Sequence, residues 1–115
     1  MTYDEKLVDR VRAILAKQRG VTEKKLMGTL AFMVNGAMCC SVGRDGLLVR
    51  IFAEERTQLL TDTFVTSMTL GSRTMKAFLR VAPEALRTRA KLAKWIERGI
   101  AAAEATKRKR PQART

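Results

Sequence analysis

The residues best equipped for chemistry in this sequence are two adjacent thiols and two groups of cations. Cys39 and Cys40 are its only cysteines. A thiol acts as a nucleophile through its thiolate, which needs a nearby Lys or Arg or a helix N-terminus to form at neutral pH. Lys24, Lys25 and Arg50 are the cations that strand pairing would bring closest. The plainer reading is two small strand residues with at least one in the core. In a regular strand neighbouring side chains point to opposite faces, and a bridge between neighbours is strained, so both are read as reduced thiols.

Other reactive constellations are missing from the sequence. It has no histidine, which removes Ser-His-Asp and Cys-His catalysis and the commonest transition-metal ligand. Two adjacent thiols with no third or fourth ligand in view do not make a zinc site. Gly28, Gly36, Gly43, Gly46 and Gly71 follow neither the dinucleotide nor the P-loop spacing. The acids are scattered singly apart from Glu54-Glu55, which sits where a helix should start and where carboxylates favour the dipole. The expectation is a protein that is no enzyme and has no cofactor. A thiol-dependent enzyme or redox sensor is the alternative that the cysteines leave open.

The cations are the sharper feature. Lys107, Arg108, Lys109 and Arg110 run together near the C-terminus, with Arg114 beyond them and no acid among residues 107 to 115. Removing those five charges from a formal net charge of +12 leaves +7 on residues 1 to 106, so the body stays basic and an acidic partner is expected. Arg87, Lys91, Lys94 and Arg98 would extend the cationic surface along one helix face. Five phosphate contacts from the terminal run would give a salt slope of roughly −4 to −5. A terminal charge run also serves simply to solubilise, and no aromatic interleaving accompanies this one.

These groups must be positioned by a single domain, since 115 residues suffice for one core. From about Asp4 to Arg19, Leu7, Val8, Val11, Ile14 and Leu15 recur at helical spacing, with Thr2 or Asp4 as the cap and Gly20 as the stop. The period then becomes two. Leu30, Phe32 and Val34 lead to an Asn35-Gly36 turn, Met38, Cys40 and Val42 return, and Leu47, Val49 and Ile51 follow a turn at residues 43–46. Residues 23–27 would add edge pairing to this three-stranded meander. A short helix is expected between Ala53 and Asp62, residues 61–72 carry no clear period, and Met75 to Val81 should rejoin the sheet. Pro83 opens a helical turn, and Thr88 caps a longer helix whose stripe is Leu92, Trp95, Ile96, Gly99, Ile100 and Ala103. The fold class expected is α+β, two-layer, an antiparallel sheet with helices packed on one face. Residues 1–106 form the domain and 107–115 a flexible basic tail.

The stretch from Glu23 to Cys40, EKKLMGTLAFMVNGAMCC, resembles the signature of the TfoX/Sxy family's N-terminal domain. Tyr3-Asp4-Glu5, Leu48-Val49-Arg50, Met75-Lys76-Ala77-Phe78 and Trp95-Ile96 are similar to further family patterns in the same order. The resemblance implies a fold similar to secretion chaperones: a helix, three strands, a helix, two strands and a helix. It also implies a regulatory role, since the family is named for regulators of bacterial natural competence that act with a cyclic-AMP-responsive transcription activator. Those regulators usually carry a second, C-terminal domain, which is not expected here. The family defines no catalytic residues. Leu26-Met27-Gly28-Thr29 departs from the usual aromatic and second glycine, and Thr74 stands where a proline is common.

The function expected is thus a non-enzymatic regulatory or adaptor domain working through protein contacts, with non-specific nucleic-acid binding by the tail as the alternative. The partner expected is a protein, with nucleic acid reached through the tail and homodimerisation through a meander face or edge. Met27, Met33, Met38 and Met68 read as core filling before they read as an adaptable partner groove. No stretch is long and apolar enough to span a bilayer, and acids and bases interrupt the first residues, so the cytoplasm is the expected location.

Overall fold

The computed structural model describes residues 3–26 and 28–109, with side chains described as far as residue 106. Helix α1 (Glu5–Leu15) opens the chain. The Asp4 carboxylate caps it, accepting from the amides of Lys6 and Leu7 at 3.0 and 3.2 Å. It ends at Leu15, one turn before the expected Arg19, and Gly20 stands in the following turn. Leu7, Val8, Val11 and Leu15 are its buried stripe.

Four strands follow: β1 (Val21–Leu26), β2 (Thr29–Val34), β3 (Ala37–Gly43) and β4 (Gly46–Arg50). The edge pairing expected around residues 23–27 is thus a full strand. Asn35 and Gly36, with φ of 51° and 88°, form the two-residue turn that joins β2 to β3, a geometry that asparagine and glycine tolerate best. A 3-10 turn (Ala53–Glu55) and the short α2 (Arg56–Leu59) fill the interval where a helix was expected. Then come β5 (Val65–Leu70) and β6 (Arg73–Val81). A second 3-10 turn (Pro83–Leu86), led by its proline, precedes α3 (Arg89–Lys109). Thr88 caps α3 by accepting from the Lys91 amide at 3.1 Å. Among the described residues no helix is long and apolar enough to cross a membrane.

The six strands form one antiparallel sheet in the order β1-β2-β3-β4-β6-β5, so β1 and β5 are its edges. The fold is α+β, and α3 packs on β3 and β4 while touching α1. The core lies between the sheet and these helices. It contains Phe32, Val42, Val49, Leu79, Leu92 and Ile96, all buried. Burying such side chains stabilises by about 1.5–3 kcal/mol each relative to exposure. Two ties close the layer: the Asp4 amide donates to the Gly43 carbonyl at 3.1 Å, and Arg10 Nη2 donates to the Leu86 carbonyl at 2.6 Å.

Two irregularities shape the sheet. Pairing passes from Phe32 opposite Cys40 to Met33 opposite Met38, so Cys39 is an extra residue in β3. The bulge turns both thiols under the helices, where strict alternation would have sent one outward. It also places Met38 on the other face from Cys40 and Val42, correcting the expectation that the three share a face. The second irregularity is larger: Ser67 lies opposite Leu79 and the next residue, Met68, lies opposite Met75. Lys76, Ala77 and Phe78 are therefore in excess on β6.

An arginine serves each bulge. Arg50 Nε donates to the Met38 carbonyl at 2.6 Å beside the first. Arg56 reaches the second with Nη2 on Ser67 Oγ at 2.8 Å and Nη1 on the carbonyls of Lys76 and Phe78 at 3.4 and 3.5 Å. Carbonyls without a cross-strand donor are costly when buried, and these contacts satisfy them.

Candidate binding trough

The helices cover one face of the sheet, and the other face is curved into an open trough of about 950 Å³. Its shape follows from the second bulge, which bends the β5–β6 hairpin relative to the strands before it. Leu26 from one edge strand and Leu70 from the other consequently line the same concavity. They are its rims, 36% and 57% exposed. Leu48, Met38 and Met68 supply apolar surface between them. Two small buried residues, Ala31 and Ser41, keep this face low between β2 and β3.

One cross-strand row organises this face. Strand pairing sets Lys24 beside Ala31, Ala31 beside Ser41, Ser41 beside Leu48, Leu48 beside Arg80 and Arg80 beside Thr66. The row therefore has a cation towards each end and small or apolar side chains between. Arg44, Asp45 and Glu84 mark the end of the trough at the β3–β4 turn and the second 3-10 turn.

Phe64, 41% exposed, is the shoulder over which the trough meets a second cleft of about 500 Å³. Lys91, Lys94 and Arg98 line that cleft together with Trp95. Arg98 lies over the Trp95 ring with its guanidinium carbon 4.9 Å from the centroid, a cation–π contact that holds the charge against the aromatic wall. Asp62 and Glu84 are the acids of this cleft, and Asp62 caps the Phe64 amide at 2.8 Å.

The residues singled out in the sequence are thereby distributed. Lys91, Lys94 and Arg98 do share one surface, at helical spacing on α3. Arg87 precedes that helix and is exposed outside the cleft, because Thr88 begins α3. The backbone of Lys107, Arg108 and Lys109 continues α3, three residues beyond the domain limit expected at 106. Arg110 and the rest of the tail lie outside the described residues. Met38 and Met68 line the trough, so the core-filling reading does not hold for them. Met27 lies outside the described residues.

Both thiols are sealed in the core. Cys39 Sγ donates to the Ile96 carbonyl at 3.8 Å, and Cys40 pairs between Phe32 and Val49. The hydrogen bond with Cys39, and then burial, push the Cys40 thiol well above its ordinary pKa. That is the reverse of thiolate activation. Lys24 and Lys25 pair with Ala31 and Leu30 instead of approaching the thiols. Arg50, its own pKa lowered by burial, is spent on the Met38 carbonyl and on the Phe78 ring, 4.7 Å from the centroid.

The trough went unread in the sequence because its residues alternate with core positions and look like an ordinary solvated face. The signal available was the methionines of β3 and β5.

Comparison with protein families matches the chain to the TfoX N-terminal domain over residues 13–103. Comparison with curated proteins and with solved structures gives no match.

Proposed function

The chain belongs to the TfoX N-terminal domain family, and from that premise we propose that it is a non-enzymatic regulatory or adaptor domain acting through protein contacts in transcriptional or competence control. The observation that carries this reading is the contrast between the two sheet faces. The covered face seals both thiols in the core and holds Cys40 protonated, while the other presents an apolar trough open to solvent. An open concavity lined mostly by apolar side chains is the kind of surface on which a partner's apolar face is laid. Affinity capture on the full chain in its native host, followed by reconstitution with each captured protein in purified form, tests the reading. A protein that binds directly supports it, and the absence of any direct binder removes it.

A second reading, non-specific nucleic-acid binding, is favoured by Lys91, Lys94 and Arg98 lining one cleft on the helix that carries Lys107–Lys109. Phosphate contacts from these residues would make affinity fall steeply with salt. Titration of duplex DNA at two salt concentrations, with and without residues 107–115, checks it. Unchanged affinity and salt slope after truncation exclude a contribution from the terminal run.

A further inference from the structure

We infer that the trough takes an acidic amphipathic helix of a partner protein, lying along the row from Lys24 to Arg80. The inference rests on the adaptor reading and gives it a site and a chemistry. A sheet face offers side chains, whereas an edge offers backbone groups, so a stripe of side chains on a helix fits the face and an added strand does not. The row crosses from β1 to β6 in four strand spacings, at most about 19 Å. A helix covers that distance in about 13 residues. Acids about 14 residues apart, which return to the same helix face at about 3.6 residues per turn, would meet Lys24 and Arg80. Apolar residues between them would lie on Met38 and Leu48, and Met68 lies just beyond Arg80 on β5. The row has apolar contacts to bury and two cations to pair, Lys24 and Arg80, while the acids Asp45 and Glu84 stand off the row at the β3–β4 turn and the second 3-10 turn. A helix continuing past Phe64 reaches Lys91, Lys94 and Arg98.

Charge and shape rule against other occupants. A second copy laid face to face would bring the cations of this row against their own kind. Nucleic acid would leave Leu26, Leu48 and Leu70 without apolar partners. A flat bilayer cannot enter a concavity whose rims, Leu26 and Leu70, stand at opposite edges of the sheet.

The test uses the full chain and a synthetic helical peptide of 15 residues, as a rough match to the span, with glutamates at both ends and a leucine stripe between. Its comparison probes are a scrambled peptide of equal composition and phosphatidylglycerol vesicles. Saturable binding of the amphipathic peptide is expected, weakened at least about tenfold by Arg80→Glu and by Leu48→Glu. A peptide with lysines at one end should regain affinity for Arg80→Glu. Arg80 is exposed, so that variant keeps its fold, and circular dichroism confirms this for both variants. Equal binding of the scrambled peptide, preference for vesicles, or indifference to both substitutions overturns the inference. So does a native partner whose capture survives both substitutions but is lost when Lys91, Lys94 and Arg98 are replaced by Glu, which leaves the adaptor reading standing. Peptide binding in a chain that captures no native protein supports the trough and removes the adaptor reading.

Discussion

Gly99 of α3 lies so close to Cys39 of β3 that a methyl group on its α-carbon would stand 2.5 Å from the Cys39 carbonyl oxygen and 3.0 Å from its sulfur. The helix rests directly on the bulge, and only a residue without a side chain permits this approach.

Gly99→Ala should therefore destabilise the fold, although alanine is favoured over glycine in a helix by about 1 kcal/mol. Overpacking costs about 1–3 kcal/mol and exceeds the propensity gain, because the nearest atom is backbone and cannot swing aside. Ala101→Gly, at an exposed position on the same helix, should lose about 1 kcal/mol by propensity alone. Urea unfolding of both variants checks the pair of signs: a more stable Gly99→Ala would mean that α3 does not sit on the bulge.

The buried Cys40 thiol should make stability fall in alkali. Cys40 keeps its proton in the fold and loses it more readily when unfolded, near its ordinary value of 9.0. Above that pH the unfolded chain binds fewer protons, so the contribution is complete below pH 9.0 and is lost as pH rises towards the folded pKa. The slope is at most about 1.4 kcal/mol per pH unit. Alkylation of native protein should be slow and should accelerate only on unfolding. Denaturant midpoints from pH 8 to 10 for the native chain and Cys40→Ala measure it, and an unchanged slope in the variant contradicts the assignment.

At the other end of the scale, Arg12 donates two hydrogen bonds of 2.7 Å to Glu23, joining α1 to β1 and holding the Glu23 carboxyl below its ordinary pKa of 4.5. A depressed carboxylate contributes stability above its unfolded pKa and loses it as pH falls through the folded one. Glu23→Gln should therefore be slightly less stable than the native chain at neutral pH, with the difference closing on acidification below 4.5. Solvent and salt screen the pair, so the difference should also shrink at high ionic strength. Paired thermal melts at pH 7 and pH 3 test both statements.

Arg56 predicts a local effect. Replacing it with Met keeps much of the side-chain volume but leaves the Lys76 and Phe78 carbonyls and Ser67 without their donor. Each lost partner at a buried group costs about 1–3 kcal/mol, less where water reaches it. Amide exchange should accelerate in β5 and in residues 73–79 while the amides of β3 and β4 stay protected. Uniform acceleration across the sheet would show that the bulge contact is not local.

The elements with a strong period were legible in the residues. The stripe of α3 and the alternation of Leu47, Val49 and Ile51 appear in the fold as read, and Met75 to Val81 does join the sheet. Asp4, Thr88 and Pro83 mark their helix starts because capping is local chemistry. β5 was not legible, since Thr66, Ser67 and Thr69 give it no apolar period and its pairing comes from β6. Neither bulge was legible either, because each depends on a partner distant in the chain: α3 for Cys39, Arg56 for the excess in β6. The trough inherits that difficulty, as its curvature is a product of the second bulge.

The two margins of the sheet carry different chemistry. β1 bears Glu23, Lys24 and Lys25, whereas the six residues of β5 bear no charge. Charged side chains discourage a further strand from joining at the first margin, and the second has none to do so. When the protein is concentrated, self-assembly into fibrils would start from Val65–Leu70, and a lysine at exposed Thr69 is the simplest protection against it.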